Sequence, residues 1–227
     1  MHKIIPITII IILLCLVCFI VVTNEKDLTK YSFYAYGDSI ANGHSALTNY
    51  LIMLRENYNI QGEIFFNSDG NAKNTTWAVN NFKNHLKYIT DKSKLIGYKF
   101  IVLEAFGFVD EYNSIKPIVV ARNKLTMFNM SKEMNIENYF VCIPIQGNSS
   151  YDDAKEYINV MENLFTMFGV PFVNLYDAVD IVPFNNQFDG FDNSSYFMDG
   201  IHPNEKGYVQ MTNYIWEWLN ENKDEMQ

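Results

Sequence analysis

The clearest pattern in this chain is an alternation of short apolar runs with longer stretches that repeat apolar residues at helical spacing. Each apolar run is rich in β-branched and aromatic side chains and is bounded by Gly, Asn or Pro, which is typical of a buried strand. The predicted strands cover residues 32–37, 63–67, 99–105, 139–145 and 171–176. The predicted helices cover residues 46–57, 76–89, 117–134, 151–168 and 205–222.

Strands that alternate with helices form parallel sheets, because each helix carries the chain back to the start of the next strand. The pattern therefore predicts a three-layer α/β/α domain of the flavodoxin-like type, with about five parallel strands between two layers of helices. Residues 180–200 interrupt the alternation with a stretch dense in Asn, Asp and Phe. Since it is too long for an ordinary connection, we interpret it as a surface loop that frames a site rather than as a metal site.

Ahead of the predicted domain, residues 4–24 contain no charged side chain. As a helix this run would be roughly 30 Å long, about the thickness of the hydrocarbon core of a bilayer. It is longer than the apolar core of a signal peptide and ends without small residues at a cleavage site, which favours a transmembrane anchor over a cleaved signal segment. Lys3 favours a cytoplasmic N-terminus, so residues 25–227 would form a domain outside the cytoplasm, or a secreted domain if the segment were cleaved.

Composition narrows the classes of partner and cofactor. The 227 residues carry a formal net charge of −9, and nucleic acids require a basic surface, so no nucleic acid partner is expected. Of the three cysteines only Cys142 lies outside the apolar run, which excludes a disulfide framework within the domain. Neither a metal ion nor an organic cofactor is indicated, and the oligomeric state is left open.

Candidate chemistry lies at the two ends of the predicted domain. The first strand ends in Gly37-Asp38-Ser39, so Ser39 occupies a strand-to-helix turn at the edge of the sheet where ligands bind in parallel α/β folds. A serine is a poor nucleophile without a neighbouring base. Asp199 and His202 come just before the last predicted helix, at a spacing that lets the carboxylate orient the imidazole.

These residues also have structural interpretations. Serine is a favoured helix N-cap, so Ser39 by itself does not indicate catalysis. We interpret Asp38 as a residue that holds the turn through hydrogen bonds to backbone N–H groups. For Ser39, Asp199 and His202, the presence of all three in one α/β chain favours the catalytic interpretation.

Gly37-Asp38-Ser39 and Asp199-Gly200-Ile201-His202-Pro203 resemble the first and last motifs of the SGNH (GDSL-type) hydrolases, a family of serine esterases and acylhydrolases. The resemblance extends over residues 31–222. It implies the three-layer fold, an ester substrate and no cofactor. It also implies that Ser39 is the nucleophile, that His202 is its base, and that Asp199 completes a triad.

The two middle motifs resemble the family less closely. Lys73 stands where family members have a glycine, and Val109 stands where they have an asparagine. The backbone N–H groups of Ser39 and Lys73 would still donate to an oxyanion. The positions at which the resemblance implies oxyanion or substrate contacts are Gly70, Lys73, Asn74, Gly107 and Asp110.

Val109 has no side-chain hydrogen to donate, and the loss of one such donor from an oxyanion hole costs about 10²–10³ in rate. Asn71, Asn74 or Asn113 could supply the missing amide from another position. The sequence alone leaves these three open.

The hypothesis is a membrane-anchored serine hydrolase whose substrates are short acyl esters, including O-acetyl groups on surface glycans, and then lipid esters. Residues 4–24 would provide the contact with the membrane. Two alternatives stay open. One is a weak or inactive binding module that has the fold but lacks the asparagine, and the other is an acyltransferase that delivers the acyl group to a sugar hydroxyl.

Overall fold

The computed structural model describes residues 26–43, 49–67, 69–143, 151–176, 196 and 202–226. The five predicted strands form one sheet in which every pair of neighbours is parallel, in the order β2-β1-β3-β4-β5. The strands are β1 Ser32–Gly37, β2 Ile64–Phe66, β3 Phe100–Ala105, β4 Tyr139–Ile143 and β5 Phe172–Asn174. The predicted parallel α/β architecture is therefore confirmed.

Helices connect the strands, and the last helix follows β5. They are α1 Ser39–Asn42, α2 Tyr50–Tyr58, α3 Thr75–Ile96, α4 Phe108–Tyr112, α5 Pro117–Glu133, α6 Tyr151–Phe168 and α7 Glu205–Asn222. The bounds predicted for α6 and α7 are confirmed. The short helices α1 and α4 are not predicted by the pattern, because four or five residues are too few to show a helical period.

Two predicted helix boundaries are wrong, for local reasons. Helix α2 begins at Tyr50, because the side chain of Asn49 accepts the N–H groups of Leu51 and Ile52 and so caps the helix there. Helix α3 continues past Ile89 to Ile96 as a mostly exposed segment, and it ends at Gly97, whose φ of 71° is left-handed. The apolar period stops at Ile89, so only the buried part of this helix could be predicted.

Alternate residues of the central strands enter two separate hydrophobic cores. On β1, Phe33 and Ala35 pack into one core, whereas Tyr34 and Tyr36 pack into the other. Helices α2 and α7 cover the first face of the sheet, and α3, α5 and α6 cover the second. The result is the three-layer arrangement that the pattern predicts.

The strand order places a topological switch point between β1 and β3, because the chain proceeds from β1 to one side of the sheet and then returns to the other. In open α/β sheets the crevice at such a point, beyond the carboxyl ends of the strands, is where ligands bind. The turns that follow β1, β2 and β3 meet there. They contain Ser39, residues 67 and 69–74, and residues 106–110, respectively.

None of the helices in the described residues is both long and apolar enough to pass through a bilayer. The predicted anchor at residues 4–24 lies outside the described residues, as does the predicted loop at residues 180–200 apart from Tyr196. Both therefore stay predictions.

Candidate active site

Ser39 is presented by the tight turn between β1 and α1. Asp38 caps the helix, because its Oδ1 accepts the N–H of Ile40 at 3.0 Å. Gly37 has no room for a side chain, since a Cβ there would lie 2.4 Å from the Cβ of Ala41. The interpretation of Asp38 as a residue that holds the turn is confirmed, and the turn exposes 8% of Ser39.

His202 reaches Ser39 from the opposite end of the chain. The Oγ of Ser39 and the Nε2 of His202 lie 2.9 Å apart, so the hydroxyl is within hydrogen-bond distance of the ring nitrogen. His202 stands two residues before Asn204, whose side chain caps α7 by accepting the N–H of Gly207 at 3.1 Å. Asp199 lies outside the described residues, and its predicted contact with His202 stays a prediction.

A direct bond joins the two elements that position this pair. The hydroxyl of Tyr208, on the first turns of α7, donates to the carbonyl of Ile40 at 2.9 Å. Ile40 follows Ser39 on α1, and both of these bonded groups are buried. This bond therefore ties α7 to α1 independently of the Ser39–His202 contact.

The loop after β2 is built onto the turn that carries Ser39. Asn67 binds both backbone groups of Gly37, since its Oδ1 accepts the N–H at 2.8 Å and its Nδ2 donates to the carbonyl at 3.0 Å. Gly70 packs on the same carbonyl, and a Cβ at Gly70 would lie 2.1 Å from that oxygen. Gly70 is thus required for close approach of the loop to β1.

The predicted role of Lys73 as an oxyanion donor does not agree with its hydrogen bond in the structure. The backbone N–H of Lys73 donates to the carbonyl of Gly70 at 3.1 Å and closes a turn, so it is already engaged. The positive φ in this turn belongs to Ala72, at 55°, so a lysine is tolerated at position 73. The side chain of Lys73 is exposed, and Asn74 caps α3 by accepting the N–H of Trp77 at 3.0 Å.

The loop after β3 is attached to α3 by Asp110. Its two carboxylate oxygens accept the N–H and the Oγ1 hydroxyl of Thr75, each at 2.7 Å. Gly107 has a φ of 135°, which lets the chain turn from β3 into α4. Val109 is half-buried and packs against the core, and its carbonyl accepts the amide of Asn113 at 2.8 Å. Gly107 and Asp110 are thus parts of the support of this loop.

Known proteins with this architecture include hydrolases. Residues 121–215 match the family described as GDSL-like lipase/acylhydrolase, a segment that contains His202. This part of the chain is therefore similar to GDSL-like lipases and acylhydrolases. No curated protein sequence matches the chain.

Solved structures share the fold of this chain at low sequence identity. The psychrotrophic esterase EstA from Pseudoalteromonas sp. is similar with a TM-score of 0.59 at 13% identity, covering 85% of this chain and 98% of its own. A member of the lipolytic protein G-D-S-L family from Veillonella parvula DSM 2008 has a TM-score of 0.60 at 14% identity, covering 82% and 97%. An acetyl xylan esterase, AlAXEase, has a TM-score of 0.63 at 15% identity, covering 82% and 98%. The SGNH-like fold expected from the sequence motifs is confirmed.

Asn42 binds two asparagines of the loop after β2, a contact that the sequence motifs do not indicate. Asn42 lies one helical turn after Ser39, and its Nδ2 donates to the carbonyl of Asn67 at 2.8 Å and to the Oδ1 of Asn71 at 3.0 Å. Residues three apart on a helix share a face, so the spacing of Ser39 and Asn42 was a usable signal. The two hydrogen bonds of Asn42 link α1 to the loop after β2.

A buried ion pair beneath the site was also missed. Lys124 on α5 donates to both carboxylate oxygens of Glu104, at 2.9 and 2.7 Å, and to the carbonyl of Cys142 at 3.1 Å. Glu104 in turn accepts the N–H of Phe106 at 2.9 Å, at the start of the loop that leads to α4. Both charged side chains are fully buried. The signal in the sequence was a glutamate within the otherwise apolar run of β3.

Burial changes the titration of the carboxyl groups around the site. It raises the pKa of Asp38 to about 7, although the N–H of Ile40 and the charge of Lys124 act in the opposite direction. Burial also raises the pKa of Asp110, and the bonds from Thr75 oppose this. For Glu104, burial raises the pKa and Lys124 opposes the rise. Lys124 is thus the cation that offsets three buried acidic groups.

Proposed function

We propose that this protein is a serine hydrolase that cleaves ester bonds, with Ser39 as the nucleophile and His202 as its general base. The observation that carries the proposal is the 2.9 Å distance between the Oγ of Ser39 and the Nε2 of His202. A serine hydroxyl is a weak nucleophile unless a neighbouring base takes its proton. The match to the GDSL-like lipase/acylhydrolase family supports the same chemistry.

In the proposed reaction the Nε2 of His202 takes the proton of Ser39 as its Oγ attacks the acyl carbon. The tetrahedral intermediate collapses when His202 returns that proton to the leaving alcohol. Water, deprotonated by the same ring nitrogen, then attacks the acyl-enzyme, and His202 returns this proton to the Oγ of Ser39 as the acid is released. Asp199 would hold the imidazole in the tautomer that keeps Nε2 free to accept a proton.

The negative charge on the intermediate needs hydrogen-bond donors aimed at the oxyanion. The backbone N–H of Ser39 belongs to the first turn of α1, where N–H groups have no acceptor within the helix. It is the backbone donor that we assign to the oxyanion, since the N–H of Lys73 is bonded to Gly70.

For the substrate we propose short acyl esters, including O-acetyl groups on glycans, with lipid esters as the next class. An acetyl xylan esterase is among the proteins with this fold, which supports the choice of a small acyl group. If residues 4–24 anchor the chain with its domain outside the cytoplasm, as the sequence predicts, such glycans would lie at the cell surface.

The proposal is tested by labelling the full chain, purified in detergent, with a fluorophosphonate probe. We expect labelling of the wild type at Ser39, and none in Ser39→Ala or His202→Ala. Ser93→Ala is the matched control, because Ser93 lies on α3 and donates to the carbonyl of Tyr98. Labelling that persists in Ser39→Ala, or a wild type that is not labelled, would contradict the proposal.

One observation favours a second candidate, a binding module with the same fold and little turnover. Val109 provides no side-chain donor, and the N–H of Lys73 is engaged, so two donors expected from the family motifs are missing. Under this alternative, p-nitrophenyl acetate would be hydrolysed no faster by the wild type than by Ser39→Ala. A clear difference between the two would exclude it.

A further inference from the structure

We propose that Asn71 supplies the side-chain hydrogen bond to the oxyanion that Val109 cannot give. This inference rests on the proposed function, because it concerns a donor in the same site. Three asparagines are near enough in sequence to be considered: Asn71, Asn74 and Asn113. The structure distinguishes them by the bonds that each amide already makes.

Asn74 and Asn113 are held in structural roles. The Oδ1 of Asn74 caps α3 by accepting the N–H of Trp77, which fixes this side chain at the end of the helix. The Nδ2 of Asn113 donates one hydrogen to the carbonyl of Val109, which holds this side chain against α4. Among the described residues, neither side chain is bonded to α1, the helix that carries Ser39, whereas that of Asn71 is.

Asn71 is held through its oxygen. Its Oδ1 accepts from the Nδ2 of Asn42 at 3.0 Å, which directs the NH₂ group of Asn71 away from that bond. Within the part of the chain that the structure describes, neither hydrogen of this NH₂ group has an acceptor. The side chain of Asn71 is exposed, so a bound substrate can reach it.

A series of hydrogen bonds fixes Asn71 relative to the nucleophile. Asn67 binds both backbone groups of Gly37, two residues before Ser39, at 2.8 and 3.0 Å. The carbonyl of Asn67 accepts from Asn42 at 2.8 Å, and Asn42 holds Asn71. Asn42 and Ser39 share a face of α1, which places the Asn71 amide beside the helix that carries the nucleophile. A preorganised amide of this kind is what oxyanion stabilisation requires.

Gly70 brings the loop after β2 into contact with the turn that carries Ser39. Gly70 packs directly on the carbonyl of Gly37, with no space for a Cβ. Asn71 is the next residue, so its backbone starts from contact with the β1–α1 turn. The role proposed for Asn71 requires its Nδ2 to come within about 2.7–3.1 Å of the oxyanion formed on the acyl carbon at Ser39.

The test is steady-state hydrolysis of p-nitrophenyl acetate by the full chain. We expect Asn71→Ala to lower kcat by about 10²–10³ with little change in KM, because the donor acts on the intermediate rather than on the bound ester. Asn71→Asp keeps the size of the side chain but removes the donor, and it should lose at least as much. Asn84→Ala, an exposed position on α3, is the control and should stay within about twofold of the wild type.

A second-site variant makes the test specific. Val109→Asn restores the side-chain donor that the family motif contains, so it should recover at least about tenfold of the kcat lost in Asn71→Ala. The same change in the wild type should add less than about threefold, because the donor is already supplied. A structural role for Asn71 would show no such recovery.

Two outcomes separate the inference from the function on which it rests. If hydrolysis depends on Ser39 but Asn71→Ala and Asn71→Asp both stay within about threefold of the wild type, the role of Asn71 is overturned and the hydrolase stands. If the wild type hydrolyses the ester no faster than Ser39→Ala, the proposed function fails, and the role of Asn71 fails with it.

Discussion

The two sides of the candidate site differ in how closely they follow the family motifs. On the side built by α1 and α7, Ser39 and His202 match the motifs, and the Oγ of Ser39 lies 2.9 Å from the Nε2 of His202. On the side built by the loops after β2 and β3, Lys73 and Val109 depart from them. The residues that do match on this second side bind other parts of the protein, as Asp110 does with Thr75.

This difference separates the chemical demands on a nucleophile from those on an oxyanion donor. The nucleophile and its base must be particular side chains at a particular distance, so no neighbour can replace them. A hydrogen-bond donor can come from any N–H that points at the same place. Departures from the motifs on the loop side are therefore compatible with catalysis, provided that another donor is present.

The largest effect is expected on the side of Ser39. Ser39→Ala and His202→Ala should each lower kcat for p-nitrophenyl acetate by roughly 10⁴-fold or more, and the double variant should lose no more than either single one, because the two residues act as a unit. Urea denaturation is the control, and both variants should keep a free energy of unfolding close to that of the wild type. Losses that multiply in the double variant would mean that Ser39 and His202 act independently.

The next largest effect concerns the support beneath the loop side. Lys124→Met leaves the carboxylate of Glu104 buried without its cation, so we expect a loss of about 3–5 kcal/mol in the free energy of unfolding. The double variant Glu104→Gln with Lys124→Met carries no buried charge there and should lose less than the single variant. Urea denaturation of both variants measures this. Equal losses would show that packing, rather than the charge of Glu104, causes the destabilisation.

A pH-dependent effect is expected on the serine side, from Asp38. Burial raises the pKa of Asp38 to about 7, so the folded protein holds this proton more tightly than the unfolded chain, in which the pKa is near 3.8. The stability that Asp38 contributes is fully present below about pH 4 and is lost as the pH rises through 7. Asp38→Asn does not titrate in this range.

We therefore expect the free energy of unfolding of Asp38→Asn, relative to the wild type, to rise by up to about 4 kcal/mol between pH 4 and pH 8. Urea denaturation at the two pH values gives this difference. The other buried acids, Glu104 and Asp110, are present in both proteins and cancel in the comparison. A difference that is the same at both pH values would show that Asp38 is ionised in the folded protein.

A smaller effect is expected at the contact between the loop after β2 and β1. Gly70→Ala would place a Cβ 2.1 Å from the carbonyl oxygen of Gly37, so the loop must shift. We expect a loss of about 1–3 kcal/mol in the free energy of unfolding, together with a lower kcat as the loop moves away from Ser39. Gly97→Ala is the comparison variant, because a Cβ at Gly97 would contact nothing and this glycine is needed only for its positive φ. Loss of stability without any change in kcat would show that this loop does not contribute to catalysis.

The smallest effect is expected for Lys73→Gly, which restores the residue of the family motif. Because the N–H of Lys73 is bonded to the carbonyl of Gly70 in a turn whose positive φ is at Ala72, this change should alter kcat/KM by less than about threefold. The same p-nitrophenyl acetate assay measures it. A gain of tenfold or more would mean that the N–H at position 73 does donate to the oxyanion.

The parts of the fold that could be predicted are those whose signal is local. Strands β1 to β5 lie within the predicted runs. A buried strand needs a continuous apolar run bounded by turn residues, and this signal is visible in the sequence. The approach of His202 to Ser39 followed from motif positions at the carboxyl edge of one parallel sheet. Helices α1 and α4 and the exposed end of α3 have no such signal, since short or solvated helical segments show no apolar period.

The contacts that could not be predicted join residues whose partners are set by tertiary packing. Nothing in the sequence distinguishes Lys124 from the exposed lysines of other helices. The packing of α5 against β3 and β4 brings it to Glu104 and to the carbonyl of Cys142. Asn42 and Asn71 are separated by a helix and a strand. The N–H of Lys73 donates to the carbonyl of Gly70 in a turn that the sequence alone does not predict.

The most direct test of the central claim is to trap the acyl-enzyme. The full chain is mixed with p-nitrophenyl acetate, quenched in acid within the first turnovers, digested and analysed by mass spectrometry. We predict an acetyl group on the peptide that contains Ser39, which disappears as water cleaves it and is absent from His202→Ala. An acetyl group found only on other residues, or one on Ser39 that forms equally well without His202, would contradict the claim.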